Sequence, residues 1–362
     1  MVRVLFRHLL VTLVIFQQLG HLQATESNQE STWGIIPVVV PLYAPETGWK
    51  VTGGGIWWYN PGNQSEYQRL SEVMTFFSAS EQGQYGLGLY MDLYFNNNKI
   101  KISHKTEAAY EPYLFWGTGD SSLASSQEEI LPRTLHTRTS ILYLVFPNIY
   151  FGPLLFSSHQ QILSYEANGS VLSCGFSNCN QTDAIGPGLR LLYDTRDNPF
   201  YPRTGTWVDA SWWFAVQSGG GSADFSQLEI DARRYYSLSQ QVILGLNAYS
   251  VLSSNQPGLA AMPRLGGQFK LRGYYEGRYI DKNLVVVQAE LRFPIWWRFG
   301  GVLFAGVGDV GSSLPTFSKP KAAAGFGLRV LLDKADYLNL RLDFGINRDN
   351  DQSGYFTFKE AF

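Results

Sequence analysis

The stretch Leu338-Asn339-Leu340-Arg341-Leu342-Asp343-Phe344-Gly345-Ile346-Asn347 alternates without a break. Leu338, Leu340, Leu342, Phe344 and Ile346 share one parity, while Asn339, Arg341, Asp343 and Asn347 share the other. Successive side chains of a strand point to opposite faces, so this pattern predicts a strand with one apolar and one charged face. The same holds from Gln227 to Arg233, where Leu228, Ile230 and Ala232 oppose Gln227, Glu229, Asp231 and Arg233. It holds again where Val285, Val287, Ala289, Leu291 and Phe293 oppose Gln288, Glu290 and Arg292. The last nine residues, Gly354 to Phe362, place Phe356, Phe358 and Phe362 on one parity and Thr357 and Lys359 on the other.

Alternation alone does not say which stripe faces the core. A sandwich or soluble barrel turns its apolar stripe inward, whereas a membrane barrel turns it outward and lines its lumen with charge. Stripes of about nine to eleven residues, tilted about 45°, match a bilayer; sandwich strands typically run about five or six residues. Sixteen candidate strands can be marked, from 35–43 to 354–362, and no helical stretch interrupts them. Pro37 and Pro41 break the first, which suits a strand with an unpaired side. An even strand count sends both termini to one side, with short turns at 96–98 and 198–205 and long loops at 117–130, 166–182 and 253–282. The fold class expected is all-β, a transmembrane antiparallel β-barrel of 16 strands.

Composition agrees with that reading. Charged residues are 16% of the chain, against about 25% in soluble domains. Aromatic residues reach 15%, as expected for a lipid-facing surface with interfacial girdles. The Trp57-Trp58-Tyr59, Trp212-Trp213 and Trp296-Trp297 clusters read as such girdles rather than as sugar platforms. A formal net charge of −2 with no basic cluster argues against a nucleic-acid partner. Residues 1–24 read as a secretory signal: Arg3, Arg7 and His8, then an apolar run from Leu9 to Phe16, then cleavage near Ala24. Residues 25–34 form a short periplasmic segment, and 35–362 the barrel. In an exported chain, Cys174 and Cys179 in a polar, Gly-containing stretch read as a loop disulfide, with two free thiols as the alternative.

Enzyme chemistry finds little support. Beyond residue 24 the histidines are His104, His136 and His159; no Gly-x-Ser-x-Gly elbow and no metal-spaced His/Glu pair accompanies them. An outward Ser paired with one of these His would be the barrel-phospholipase arrangement, which stands as a minor alternative. No catalytic residue, metal or cofactor is expected.

The segment 253–282 is too long for a hairpin connection, and loops of this size tend to be functional or disordered. It contains Gly266-Gly267 and Leu271-Arg272-Gly273-Tyr274. A loop folded into a polar lumen needs an anchor, and an arginine paired with wall carboxylates supplies one. This motif resembles the conserved loop of the BamA/TamA-type family (bacterial surface antigen type), whose sixteen-stranded barrels assemble or translocate outer-membrane proteins. The resemblance implies that Arg272, Gly273 and Tyr274 form a lock with Glu290 and Asp309 of the two following strands. It extends to Tyr193-Asp194-Thr195-Arg196-Asp197-Asn198-Pro199-Phe200-Tyr201-Pro202-Arg203-Thr204-Gly205, similar to the family's periplasmic turn, in which Asp194, Arg196, Asp197, Pro202 and Gly205 carry the motif. The ending with Phe356, Phe358 and Phe362 resembles its assembly signal.

Family members usually carry POTRA domains ahead of the barrel; none is expected before residue 35 here, and the chain resembles the stand-alone subgroup that lacks them. The reading is therefore an assembly or translocation channel of the bacterial outer membrane, with a loop-plugged lumen and a lateral seam between the first and last strands. Its partners are expected to be outer-membrane lipids, unfolded outer-membrane or secreted proteins, and a separate periplasmic protein. The alternative is a non-catalytic pore or surface-antigen barrel without transport activity.

Overall fold

In a computed structural model of the chain, the residues described are 33–44, 48–59, 69–166, 169, 171, 181–219, 223–315, 317, 319–333 and 338–362. The signal segment and the pair Cys174 and Cys179 lie outside them. The described chain is β throughout apart from one turn of 3₁₀ helix at Ala124–Ser126. The first strands are β1 (Trp33–Ala44), β2 (Gly48–Tyr59), β3 (Ser71–Ser80), β4 (Tyr85–Phe95), β5 (Ile100–Tyr110) and β6 (Tyr113–Phe115). The middle strands are β7 (Glu128–Phe146), β8 (Ile149–Ser164), β9 (Gln181–Asp194), β10 (Gly205–Gly219), β11 (Phe225–Ser237) and β12 (Ile243–Ser253). Then come β13 (Arg264–Leu265), β14 (Tyr279–Ile280), β15 (Asn283–Trp296), β16 (Phe299–Gly311), β17 (Lys321–Asp333), β18 (Leu338–Asn347) and β19 (Gln352–Phe358).

Three of these strands are stubs. β6 is a short spur on β7, and β13 pairs with β14 inside the 254–282 connection. Among the rest, each strand pairs antiparallel with the next long one, from β1–β2 to β18–β19. At one end the connections are tight. Asn96, Asn97 and Asn98 all adopt positive φ in the β4–β5 turn, and Asn148 does so between β7 and β8. Asparagine tolerates that left-handed backbone better than most residues. The long connections that follow β5, β8 and β12 are at the other end.

The alternation read from 338–347 becomes a division of surfaces. Phe344 and Ile346 are exposed, whereas Arg341 and Asp343 are 0% exposed. On strands β15 to β17, Leu303 and Phe326 are 52% and 59% exposed while Arg329 and Glu290 are buried. This is the inverse of a soluble sheet. The polar face is also the concave one, because strands far apart in the sheet meet across it. Arg138 of β7 bonds Glu229 of β11 at 2.5 Å, skipping β8, β9 and β10.

Two expectations about facing are corrected. Trp213 does not share the exposed face with Trp212: it points inward, stacked on Phe156 at 5.1 Å with the Arg138 guanidinium above it. The chain ending also departs from its parity. β19 stops at Phe358, Lys359 takes a φ of 63°, and residues 360–362 turn to the buried side. Phe362 is 3% exposed and packs on Tyr235. A positive φ at a non-glycine residue ends the pleat, so alternation cannot be extrapolated beyond it.

Candidate functional site

The connection from β12 to β15 lies against the polar face. Its apolar residues give it a base: Leu265, Leu271, Tyr274 and Tyr279 form one buried cluster with Tyr249, Val251, Leu284, Val286, Val310 and Ala323. Burying such side chains stabilises by about 1.5–3 kcal/mol each, so the loop is held by packing before any charge is counted. Burial pushes the Tyr274 hydroxyl up to about 12 and lowers the Lys270 ammonium, which donates to Tyr249 Oη at 2.8 Å.

Arg272 occupies the centre. It is 1% exposed; Nη1 donates to Asp343 Oδ2 and Nη2 to Glu290 Oε2, each at 2.6 Å. Its guanidinium lies 3.7 Å from the centroid of the Phe304 ring. The loop backbone beside it is fixed as well: Gly273 N donates to Tyr355 Oη at 3.1 Å, which in turn donates to Tyr274 O at 3.0 Å. Gly273 takes a φ of 118°, a conformation L side chains rarely adopt.

The lock expected from sequence is thus redrawn. Arg272, Gly273, Tyr274 and Glu290 come together, but Asp309 does not join them. Asp309 stands opposite Val285 in the β15–β16 register, off the parity of Glu290, and accepts from Lys321 Nζ at 2.7 Å. Its place beside Arg272 is taken by Asp343 of β18.

Around this pair lies a larger buried network. Arg292 Nε donates to Glu290 Oε1 at 2.7 Å, and its Nη2 to the Phe362 carbonyl oxygen at 2.7 Å. Arg329 bonds Asp343 Oδ1 at 2.6 Å and Glu360 Oε2 at 2.8 Å. Arg341 reaches Asp343 at 3.3 Å and the Gln268 carbonyl at 3.1 Å. Among the described residues the cluster sets four guanidiniums against three side-chain carboxylates, with the Phe362 main-chain oxygen as a further acceptor. Arg292, Arg329, Arg341 and Glu360 were not singled out from sequence, although Arg292 and Arg341 sit on polar stripes opposite apolar ones. That parity was the available signal.

The turn motif forms a second element. The Asp194 carboxylate accepts two bonds from the Arg196 guanidinium, at 2.9 and 3.0 Å, one from the Arg196 amide at 3.1 Å and one from Arg69 at 2.7 Å. Asp197 Oδ1 caps the amides of Arg203 and Thr204, and Asn198 Oδ1 those of Phe200 and Tyr201. Gly205 has a φ of 103°, and a Cβ there would lie 2.2 Å from Thr195 O. This framework projects Phe200 onto Ile56, with Ile36, Leu70 and Met74 around it, on the far strands β1 to β3 and the residue preceding β3. The Pro202 carbonyl accepts from Arg292 Nη1 at 3.3 Å. Loop, turn and chain ending therefore all meet at Glu290 and Arg292.

A family comparison decides what this arrangement belongs to. The Omp85 superfamily domain matches residues 154–360, more than half of the chain. The chain belongs to the Omp85 superfamily. Solved structures agree in fold. A crystal structure of BamA from Haemophilus ducreyi lacking POTRA domains 1-3 aligns with a TM-score of 0.58 at 13% identity, over 91% of this chain and 70% of that one. CdiB from Acinetobacter baumannii gives 0.54 at 12% identity, over 90% of this chain and 65% of that one. CdiB from Escherichia coli gives 0.55 at 12%, over 92% and 63%. No curated protein matches in sequence. This Omp85 chain is accordingly an antiparallel β-barrel of the bacterial outer membrane, similar to assembly and translocation channels.

One consequence concerns Gly345 of β18. A Cβ there would stand 2.8 Å from Gly273 N and 3.0 Å from the Arg272 carbonyl carbon, so the loop backbone can approach only because the side chain is absent. Gly345→Val should lift the Omp85 loop off the wall at a cost of roughly 1–3 kcal/mol. Limited proteolysis of the refolded protein will then cut within 254–282 faster than in wild type, with the rest of the barrel resistant. Equal protection would show that the loop is not held by this approach.

Proposed function

We propose that this protein is a polypeptide-assembly or translocation channel: a closed sixteen-stranded barrel whose 254–282 loop plugs the lumen, with a lateral seam between β1 and β19. The observation that carries the reading is the completely buried bridge from Arg272 to Glu290 and Asp343. A guanidinium tying an entire loop to two separate strands is a latch that can hold one arrangement of the barrel against another. The seam reading rests on Pro37 and Pro41, which remove two backbone donors from β1. The substrates are unfolded outer-membrane or secreted proteins, and a separate periplasmic partner delivers them. Residues 1–24 direct export, and Phe356 and Phe358 serve in the chain's own assembly.

The test is conductance in planar bilayers combined with a transport assay. Arg272→Ala should turn a quiet barrel into one with large, fluctuating currents and should abolish transport. Cysteine pairs bridging Trp33–Ala44 and Gln352–Phe358 should block transport when oxidised and restore it on reduction. A steady large pore indifferent to both changes would instead favour the simple pore.

A further inference from the structure

We propose that the outer wall formed by β5, β7, β8 and β9 is a seat for lipid headgroups, reaching well below the level at which headgroups meet the rest of the barrel. The observation is a break in the apolar outer face. Strand registers align outward residues into rows across these four strands. Toward the loop end lies the row Tyr110, Arg133, Gln161 and Gln181, a polar rim of the kind that meets an interface, with Leu163 of β8 exposed beyond it. Below it come Ala108, Leu135, His159 and Asp183, then Thr106, Thr137, Ser157 and Ile185, then His104, Thr139, Leu155 and Pro187. The apolar band returns in the next rows, where Ile102 pairs with Ile141 and Pro153 with Leu189, followed by Ile100, Tyr143, Phe151 and Leu191 in register.

On the opposite wall the exposed outward residues Leu246, Val287, Leu303, Phe326 and Phe344 are all apolar, and polar residues on that parity, Ser250 and Asp309, come only nearer the loop end. The polar ledge is therefore local. From Tyr110 to His104 is six residues, roughly 20 Å along the strand and roughly 14 Å in depth at a 45° tilt. That is about half the hydrocarbon thickness.

The ledge is partly satisfied within itself. His104 bonds Thr139 Oγ1 and Thr106 Oγ1, each at 2.8 Å, and Thr106 bonds Thr137 at 3.2 Å. His159 and Asp183 are hydrogen-bonded to each other. Yet their side chains are 38% and 39% exposed, and ionisable groups facing hydrocarbon are destabilising. Hydroxyls, imidazoles and the Arg133 guanidinium offer both donors and acceptors to phosphate, glycerol and sugar groups. The ledge is also continuous with the polar rim. The occupant that fits both facts is the headgroup layer itself, drawn down along this wall with its water.

The test uses single cysteines in a Cys174→Ser, Cys179→Ser background, reconstituted in phosphatidylcholine vesicles and exposed to a membrane-impermeant maleimide. Thr106→Cys, Thr137→Cys and Ser157→Cys should label about as fast as Gln161→Cys. They should label about tenfold or more faster than Leu303→Cys and Phe326→Cys, because the reactive thiolate is disfavoured in hydrocarbon. Labelling as slow as at Leu303 would overturn the proposal and leave a self-satisfied patch lying in hydrocarbon or covered by a protein. A second measurement needs no cysteine. The triple variant Thr106→Leu, Thr137→Leu, Ser157→Leu should shift optimal refolding toward vesicles of longer acyl chains. An unchanged chain-length optimum would equally overturn the headgroup seat.

Discussion

Glu290→Ala should destabilise the barrel more than Arg272→Ala, although the two residues share one ion pair. Glu290 Oε2 accepts from Arg272 and Oε1 from Arg292, at 2.6 and 2.7 Å. Both guanidiniums are almost wholly buried. Removing the carboxylate takes a partner from two buried guanidiniums at once, leaving Arg272 with Asp343 alone and Arg292 with the Phe362 and Pro202 main-chain oxygens. Removing Arg272 leaves Glu290 still paired with Arg292, and Asp343 still bonded to Arg329 at 2.6 Å. Breaking one partner of a buried pair costs about 3–5 kcal/mol. Arg272→Ala should fall near the lower figure, and Glu290→Ala at or above the upper one. The double variant should cost less than the sum, because neighbours in one network are not additive. Urea unfolding in detergent micelles, followed by tryptophan fluorescence, gives all three values. An order in which Glu290→Ala is the milder change would mean that the network is wet enough for water to replace the carboxylate.

The strands were legible because a single sheet between two unlike environments must alternate, and alternation survives in the sequence. The stretch 338–347 is one strand end to end, as its parity requires. Arg272 and Glu290 were legible through motif resemblance. What the sequence concealed were facts of register and of backbone turning. Asp309 shares a Gly-rich strand with inward positions, but its pairing with Val285 puts it on the other parity, and no composition reveals that. Asp343 was visible as a charged residue on the polar stripe, yet nothing local says that a loop some seventy residues earlier reaches it. Phe362 looked like an outward aromatic until the φ of Lys359 ended the strand. Trp213 sat in a tryptophan pair, and a pair of adjacent residues in a strand must divide between faces.

Phe200→Ala should also raise permeation, for reasons independent of the loop. The β9–β10 turn is rigid by construction, with Asp197 and Asn198 capping four of its amides and Gly205 allowing its close return. Phe200 is the buried end of that construction. It is 4% exposed, seated against Ile56, with Lys359 Nζ 4.6 Å from its ring centroid. Lys359 in turn bonds Glu72 of β3 at 2.6 Å. The turn and the chain ending thus lean together on the first strands, at the opposite end from the long loops. Elsewhere on the polar face, between the loop and β2 to β7, lies a cavity of about 1050 Å³, with Lys50, Tyr90, Lys105, His136 and Tyr275 on its walls. If ions or chains cross the barrel beside the loop, Phe200 is what they meet at the turn end. Truncation to alanine removes a large buried ring, a loss of about 3–5 kcal/mol, and should raise single-channel conductance even with the Arg272 bridge intact. Phe200→Leu, which keeps most of the apolar volume, should stay near wild type in both stability and current. Conductance that rises in Arg272→Ala but not in Phe200→Ala would place the barrier at the loop alone. A rise in both, larger in the double variant, would mean that the barrel is closed twice.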